Sequence, residues 1–108
     1  MSEDITKKIQ SQIDKNKVIL YMKGTKDMPQ CGFSARVVNL INSYGVPYET
    51  VDVLANPEIR QGIKAYSNWP TVPQLYVNGK FIGGCDICVE LEERGEFEPL
   101  LRNAVAEK

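Results

Sequence analysis

Val18-Ile19-Leu20-Tyr21-Met22-Lys23-Gly24-Thr25-Lys26-Asp27-Met28-Pro29-Gln30-Cys31-Gly32-Phe33-Ser34 is the stretch from which the fold is read. Its first part, Val18 to Lys23, carries apolar residues in an unbroken run rather than in alternation. That is the pattern of a strand buried on both faces. Gly24 to Gln30 is polar and contains Pro29, so it reads as a loop. From Gly32 to Tyr44, Phe33, Val37, Val38, Leu40 and Ile41 form a helical apolar stripe, which Gly45 ends. A second strand follows from Tyr48 to Val53. Two strands joined by a helix lie parallel in one sheet.

The same reading extends outward in both directions. Ile5, Ile9 and Ile13 recur at helical spacing in a polar background, with Ser2 or Asp4 as N-cap and Asn16 as the stop. Asn56-Pro57-Glu58 starts a helix, with Asn as cap, Pro in the first turn and an acid beside it, running to about Ser67. Gln74 to Val77 and Lys80 to Ile82 flank Asn78-Gly79, the strongest short hairpin signal. After Gly83-Gly84 come a helix from about Asp86 to Glu93, a stop at Arg94-Gly95, and a last helix from about Phe97 to Val105. The order is αβαβαββαα. The expected architecture is α/β: a small four-stranded mixed sheet flanked by helices on both faces, in one domain over residues 1–108.

Composition narrows the function classes. The chain has 108 residues, 43% apolar and 25% charged, with a net charge of -1. No basic excess is available to neutralise phosphates, which argues against a nucleic-acid partner. The longest apolar run, Val18 to Met22, is far short of the ~20 residues of a membrane span. Met1-Ser2-Glu3-Asp4 has neither the basic and apolar regions of a signal peptide nor the arginines of a transit peptide, so a cytoplasmic location is expected. There are 3 cysteines, Cys31, Cys85 and Cys88, and no histidine. Such a set suits a reducing compartment and cannot complete a structural zinc site within one chain.

Cys31 holds the most informative position. It follows a strand and loop and immediately precedes a helix, so the free N–H groups from Gly32 onward and the positive end of the helix dipole favour its thiolate. Lys23 closes the strand before the loop; a cation there lowers the thiol pKa further or binds an anionic ligand. Gly32 permits close backbone approach. Ser34 stands where a two-cysteine redox motif has its second thiol, so any disulfide of Cys31 needs a partner from a small molecule or from elsewhere in the chain.

Cys31-Gly32-Phe33-Ser34 resembles the signature of the monothiol, CGFS-type glutaredoxins. Three further segments resemble that family in the same order: the loop Lys23 to Pro29, the segment Asn68-Trp69-Pro70-Thr71-Val72-Pro73, and Gly83-Gly84-Cys85-Asp86. The resemblance implies a thioredoxin-like (glutaredoxin) fold with Pro73 cis. The cis bond turns the preceding Val72 backbone outward to pair with a peptide-like ligand, glutathione. It also implies that N–H groups at Gly84-Cys85-Asp86 bind one glutathione carboxylate and that Asp86, itself a natural N-cap, meets the ammonium. Lys23 and Arg60 would meet the other carboxylate, with Lys64 a weaker candidate. Trp69 and Pro70 are expected to pack in the core, as is Cys88. In this family Cys85 can lie near the active-site cysteine, and it is the expected disulfide partner of Cys31.

A [2Fe–2S] cluster needs four thiolate-type ligands. One chain offers one activated thiolate, Cys31; two chains and two glutathiones complete the set. The resemblance therefore implies a homodimer when loaded, a labile cluster suited to assembly, storage or transfer, and partners among BolA-like proteins and apo iron–sulfur clients. The alternative is a glutathione-dependent thiol–disulfide oxidoreductase that removes glutathione from proteins through the same Cys31.

Overall fold

β1 (Val18–Met22) is central in a computed structural model that describes residues 3–106. All five of its residues are buried. Alternation of side chains across the strand sends Val18, Leu20 and Met22 to one face and Ile19 and Tyr21 to the other. Each set needs its own cover, and this is why an unbroken apolar run requires helices on both sides.

The cover on the first face is α2 (Gly32–Asn42), α4 (Cys85–Glu93) and α5 (Phe97–Ala106), contributing Val37, Val38, Ile41, Cys88, Phe97 and Leu101. On the second face α1 (Glu3–Lys15) and α3 (Pro57–Ser67) bring Ile9, Ile13, Ile59 and Ile63. β2 (Glu49–Asp52), β3 (Gln74–Val77) and β4 (Lys80–Gly83) complete a sheet of order β2-β1-β3-β4. β1 and β2 are parallel, with Leu20 opposite Thr50, and both remaining pairs are antiparallel. Asn78 and Gly79 have φ of 52° and 79°, the positive values that a two-residue hairpin turn of primed type demands. The result is the four-stranded mixed α/β sheet expected from the sequence.

Several local expectations are corrected. Asp4 is not a cap: α1 already includes Glu3, and Ser2 lies outside the described residues. Asn16 does close that helix, its side chain donating to the Gln12 carbonyl at 2.9 Å. Asn56 holds the N-cap position of α3, but its side chain donates to the Asp52 carbonyl instead of accepting a cap bond. α4 starts one residue early, at Cys85, so Gly84 is its N-cap and Asp86 lies inside the first turn. Phe33 belongs to the helical stripe by spacing but is 63% exposed, because it sits in the first turn of α2, beyond the end of the sheet.

These placements make a direct test. Leu101→Ala, at a site without exposed surface, should lower stability by about 2–5 kcal/mol. Phe33→Ala should stay within about 0.5 kcal/mol of the parent. Urea unfolding followed by circular dichroism measures both, and the reverse ranking would put Phe33 back in the core.

Candidate functional site

Cys31 is the N-cap residue of α2, with extended backbone (φ -150°, ψ 135°), and its carbonyl accepts the Ala35 N–H at 2.9 Å. A cap residue turns its side chain toward the first free N–H groups of its helix. The sulfur closes no full cap hydrogen bond, yet the N–H groups of Ser34 and then Phe33 favour its thiolate and hold its pKa below the ordinary thiol value. Partial burial opposes this, while the Lys23 ammonium and the Ser34 hydroxyl add to the lowering. A Cβ at Gly32 would meet nothing within 4 Å, so the space beside the thiol is open.

The loop before Cys31 is closed on itself. The Gln30 N–H donates to the Lys23 carbonyl at 2.9 Å, Gly24 bridges to Pro29, and the Thr25 N–H donates to the Met28 carbonyl at 3.2 Å. Ser34 is fully buried and accepts the Lys23 N–H on Oγ at 3.2 Å. The residue in the place of a second thiol thus ties the end of β1 to α2.

A cavity of about 410 Å³ opens beside Cys31, within the size range of small-molecule sites. Lys23 and Cys31 stand at one side, residues 69–73 form a wall, and residues 84–87 close the end. The Val72–Pro73 peptide bond is cis. Gly84 comes so near the wall that an added Cβ would lie 3.0 Å from the Pro73 carbonyl oxygen. The start of α4, with its free N–H groups, thereby faces the same space as the start of α2.

Among the residues singled out from sequence, Lys23, Cys31, Val72, Pro73, Cys85 and Asp86 share this cavity. Arg60 is not among its lining residues. The α3 cation that lines it is Lys64, which sits in the last turn of the helix, where the Trp69 N–H donates to its carbonyl at 3.1 Å. Trp69 is 42% exposed and lines the cavity, with its ring 6.0 Å from that of Phe81. It and Pro70 are wall, not core. Sequence reasoning also missed Gln74, a fully buried side chain that donates to the carbonyls of Trp69 and Thr71 at 3.2 and 3.0 Å and accepts the Tyr76 hydroxyl. A Gln at the start of an otherwise apolar buried strand was the available signal, since such an amide needs partners.

The three cysteines differ in character. Burial pushes the Cys85 thiol up, as do Asp86 and the nearby Cys31, against a lowering by Arg36. Cys88 lies in the core, and burial pushes its thiol up to about 12. Only Cys31 is tuned toward the thiolate. Among the described residues no cluster of three or more Cys, Asp, Glu or His side chains could hold a metal ion, and no helix is long and apolar enough to cross a membrane.

Residues 18–82 match the family profile for glutaredoxin. A ycf64-like monothiol glutaredoxin of Synechocystis is 56% identical over 106 residues, covering 98% of this chain and 99% of its own. The chain belongs to the monothiol glutaredoxin family. Reduced apo GrxS14 of poplar superposes with a TM-score of 0.82 at 47% identity, covering 95% of this chain and 94% of that one. A buckwheat glutaredoxin solved as its glutathione complex superposes with a TM-score of 0.83 at 26% identity over the whole of both chains. The thioredoxin-like fold follows from these likenesses, and Ser34 is the residue that makes this glutaredoxin monothiol.

Because the folded glutaredoxin holds the Cys31 thiolate better than an unfolded chain does, this group's contribution to stability is complete above the ordinary thiol range. It is lost as pH falls through the lowered value. Alkylation of Cys31 against pH should show a midpoint below that of a free thiol. Lys23→Gln should raise the midpoint and Ser34→Ala should raise it less. Neither should restore the free-thiol value, because the backbone N–H groups remain. A midpoint unmoved by Lys23→Gln would remove Lys23 from the site.

Proposed function

We propose that this glutaredoxin binds glutathione in the cavity beside Cys31, and that two chains with two glutathiones share a [2Fe–2S] cluster as cargo for other proteins. The observation that carries the reading is the single thiolate-tuned cysteine at the mouth of a cavity lined by two lysines and a helix start. Glutathione brings two carboxylates, an ammonium and a peptide backbone. Lys23 and Lys64 suit one carboxylate and the N–H groups at the start of α4 the other. Asp86 suits the ammonium, and the Val72 backbone suits strand-like pairing. Arg60, outside the lining, would act on the ligand only from a distance.

The ligand count supports a shared cluster. A [2Fe–2S] centre takes four thiolate-type ligands. Cys88 is in the core and Cys85 is driven toward the thiol form, so one chain supplies one ready ligand. A second copy supplies another, and two glutathiones the rest. Apo iron–sulfur proteins in a reducing compartment such as the cytoplasm are then the clients, and a BolA-like protein is the partner that the family suggests.

Anaerobic reconstitution with iron, sulfide and glutathione should give a coloured dimer on size exclusion. Cys31→Ser should abolish the visible absorbance, because an alcohol is a poor iron ligand, and Cys88→Ala should keep it. Leaving out glutathione should leave a colourless chain. A cluster-loaded monomer formed without any thiol cofactor would sink the shared-ligand reading. Colourless protein with fast turnover on a glutathione mixed disulfide would favour the oxidoreductase.

The same cavity sets the oxidised state. Cys31 and Cys85 both line it, and Ser34 leaves Cys31 no neighbour in its own helix. Oxidised glutathione, reduced to two glutathiones, should join Cys31 to Cys85 with loss of two protons and two electrons from the pair. Peptide mapping should find this link in the apo chain and little of it in cluster-loaded protein. An 85–88 link instead would show that Cys85 serves the site only through its backbone.

A further inference from the structure

Gly24 begins the loop that ends at Cys31, and its N–H donates to Asp52 Oδ1 at 2.9 Å, across 28 residues of sequence. The same oxygen accepts the Leu54 N–H at 2.9 Å. The bond to Leu54 is a local turn of the kind Asp makes wherever a strand ends. The bond to Gly24 is not local. It ties the exit of β1 to the end of β2, at the rung where Met22 pairs with Asp52.

Two consecutive backbone N–H groups thus leave β1 held by side chains: Lys23 by Ser34 of α2 and Gly24 by Asp52 of β2. Between them they fix the root of the loop. Gly24 has φ +87°, and a Cβ there would meet the Met28 carbonyl at 2.5 Å and the Gln30 nitrogen at 2.7 Å. The returning strand of the loop is therefore pressed against Gly24, and Cys31 is the residue after Gln30. Any drift of Gly24 carries Lys23 on one side and Gln30-Cys31 on the other. A further hold on this loop is at its far side, where Lys26 Nζ donates to the Tyr48 carbonyl at 2.9 Å and lies 4.3 Å from the centre of the Tyr48 ring.

We propose that Asp52 is a positioning residue of the thiol site: its carboxylate pins the root of the 24–30 loop to β2 and thereby sets where Lys23 and Cys31 stand relative to one another. Asp52 is not among the residues that line the cavity; it acts through Gly24. This is independent of whether a cluster or a mixed disulfide is the protein's business, since it concerns the free chain.

The test uses three variants of the full chain in its apo, reduced form. Asp52→Ala removes both bonds. Asp52→Ser keeps a turn acceptor for Leu54 with a side chain too short to span to Gly24. Asp52→Asn keeps an oxygen that accepts both N–H groups but loses the charge. Two quantities are read at neutral pH: the rate of Cys31 alkylation by iodoacetamide, and hydrogen exchange at the Gly24 amide with the β1 amides as internal control. Asp52→Ala and Asp52→Ser should slow alkylation by about threefold or more, because less of the thiol is held as thiolate. They should speed Gly24 exchange by about tenfold or more while the β1 amides keep their protection. Asp52→Asn should restore both. If Asp52→Ala does not fold, Asp52→Ser and Asp52→Asn decide alone. Folded Asp52→Ser with parental alkylation would reduce Asp52 to an ordinary turn former, and Asp52→Asn failing as badly as Asp52→Ser would assign the effect to charge and overturn the pinning role.

Discussion

β1 is paired on both edges and covered on both faces, so no functional group can be mounted along it. What chemistry the chain has must gather where β1 runs out. There the backbone turns away under two side-chain holds and returns as the N-cap of α2, which places Cys31 above the end of the sheet. The cis bond before Pro73 precedes β3, the strand antiparallel to β1, and so lies at the same end. The start of α4 follows β4 by one residue and arrives there as well. Three connections converge on one end of a sheet for topological reasons, and the cavity is the space between them.

The electrostatics follow from that convergence. Two helix N-termini and two lysines surround the space, against one carboxylate, Asp86. Such a balance favours anions, a thiolate among them. Depth then sorts the cysteines. Cys31, at the mouth, is lowered by the N–H groups of Ser34 and Phe33; Cys85, at the wall, is raised by burial; Cys88, one turn further in, is raised the most. One cavity contains two thiols tuned in opposite directions, Cys31 toward the thiolate and Cys85 toward the thiol.

Much of this is legible in the sequence, and the failures have physical reasons. The unbroken apolar run of Val18 to Met22 and the Asn78-Gly79 turn are local signals, and with simple connection rules they gave strand directions; the order β2-β1-β3-β4 is seen only in the fold. Phe33 and Trp69 were harder: spacing tells which way a residue faces, but not whether the core extends that far, and both stay partly in water at the rim of the cavity. Lys64 and Arg60 share a helix face, so only the placement of α3 chooses between them. Asp86 is a natural N-cap residue, yet α4 begins at Cys85, with Gly84 at the cap close to the Pro73 carbonyl. Asp52 was invisible because its partner Gly24 is brought to it by the tertiary fold, 28 residues away; Gln74 bonds residues within five positions of itself, and its signal was the amide side chain on an otherwise apolar strand.

The chain leaves apolar side chains in water at this end: Met28 on the loop before Cys31, and Phe33 on α2, Trp69 on the wall and Ile87 on α4 around the cavity. Scattered singly they would need no account, but Phe33, Trp69 and Ile87 line one opening. Covering a large apolar side chain fully contributes about 1.5–3 kcal/mol, and these four are already partly covered. Association of two bodies costs about 4–15 kcal/mol in lost freedom. A pair of such rims brought together gains an amount of that same order, so apolar contact alone leaves association near balance. A ligand set that spans both chains would tip it. On the shared-cluster reading, the apolar rim would help a bridged dimer close, and the ligands that span both chains would decide whether it does.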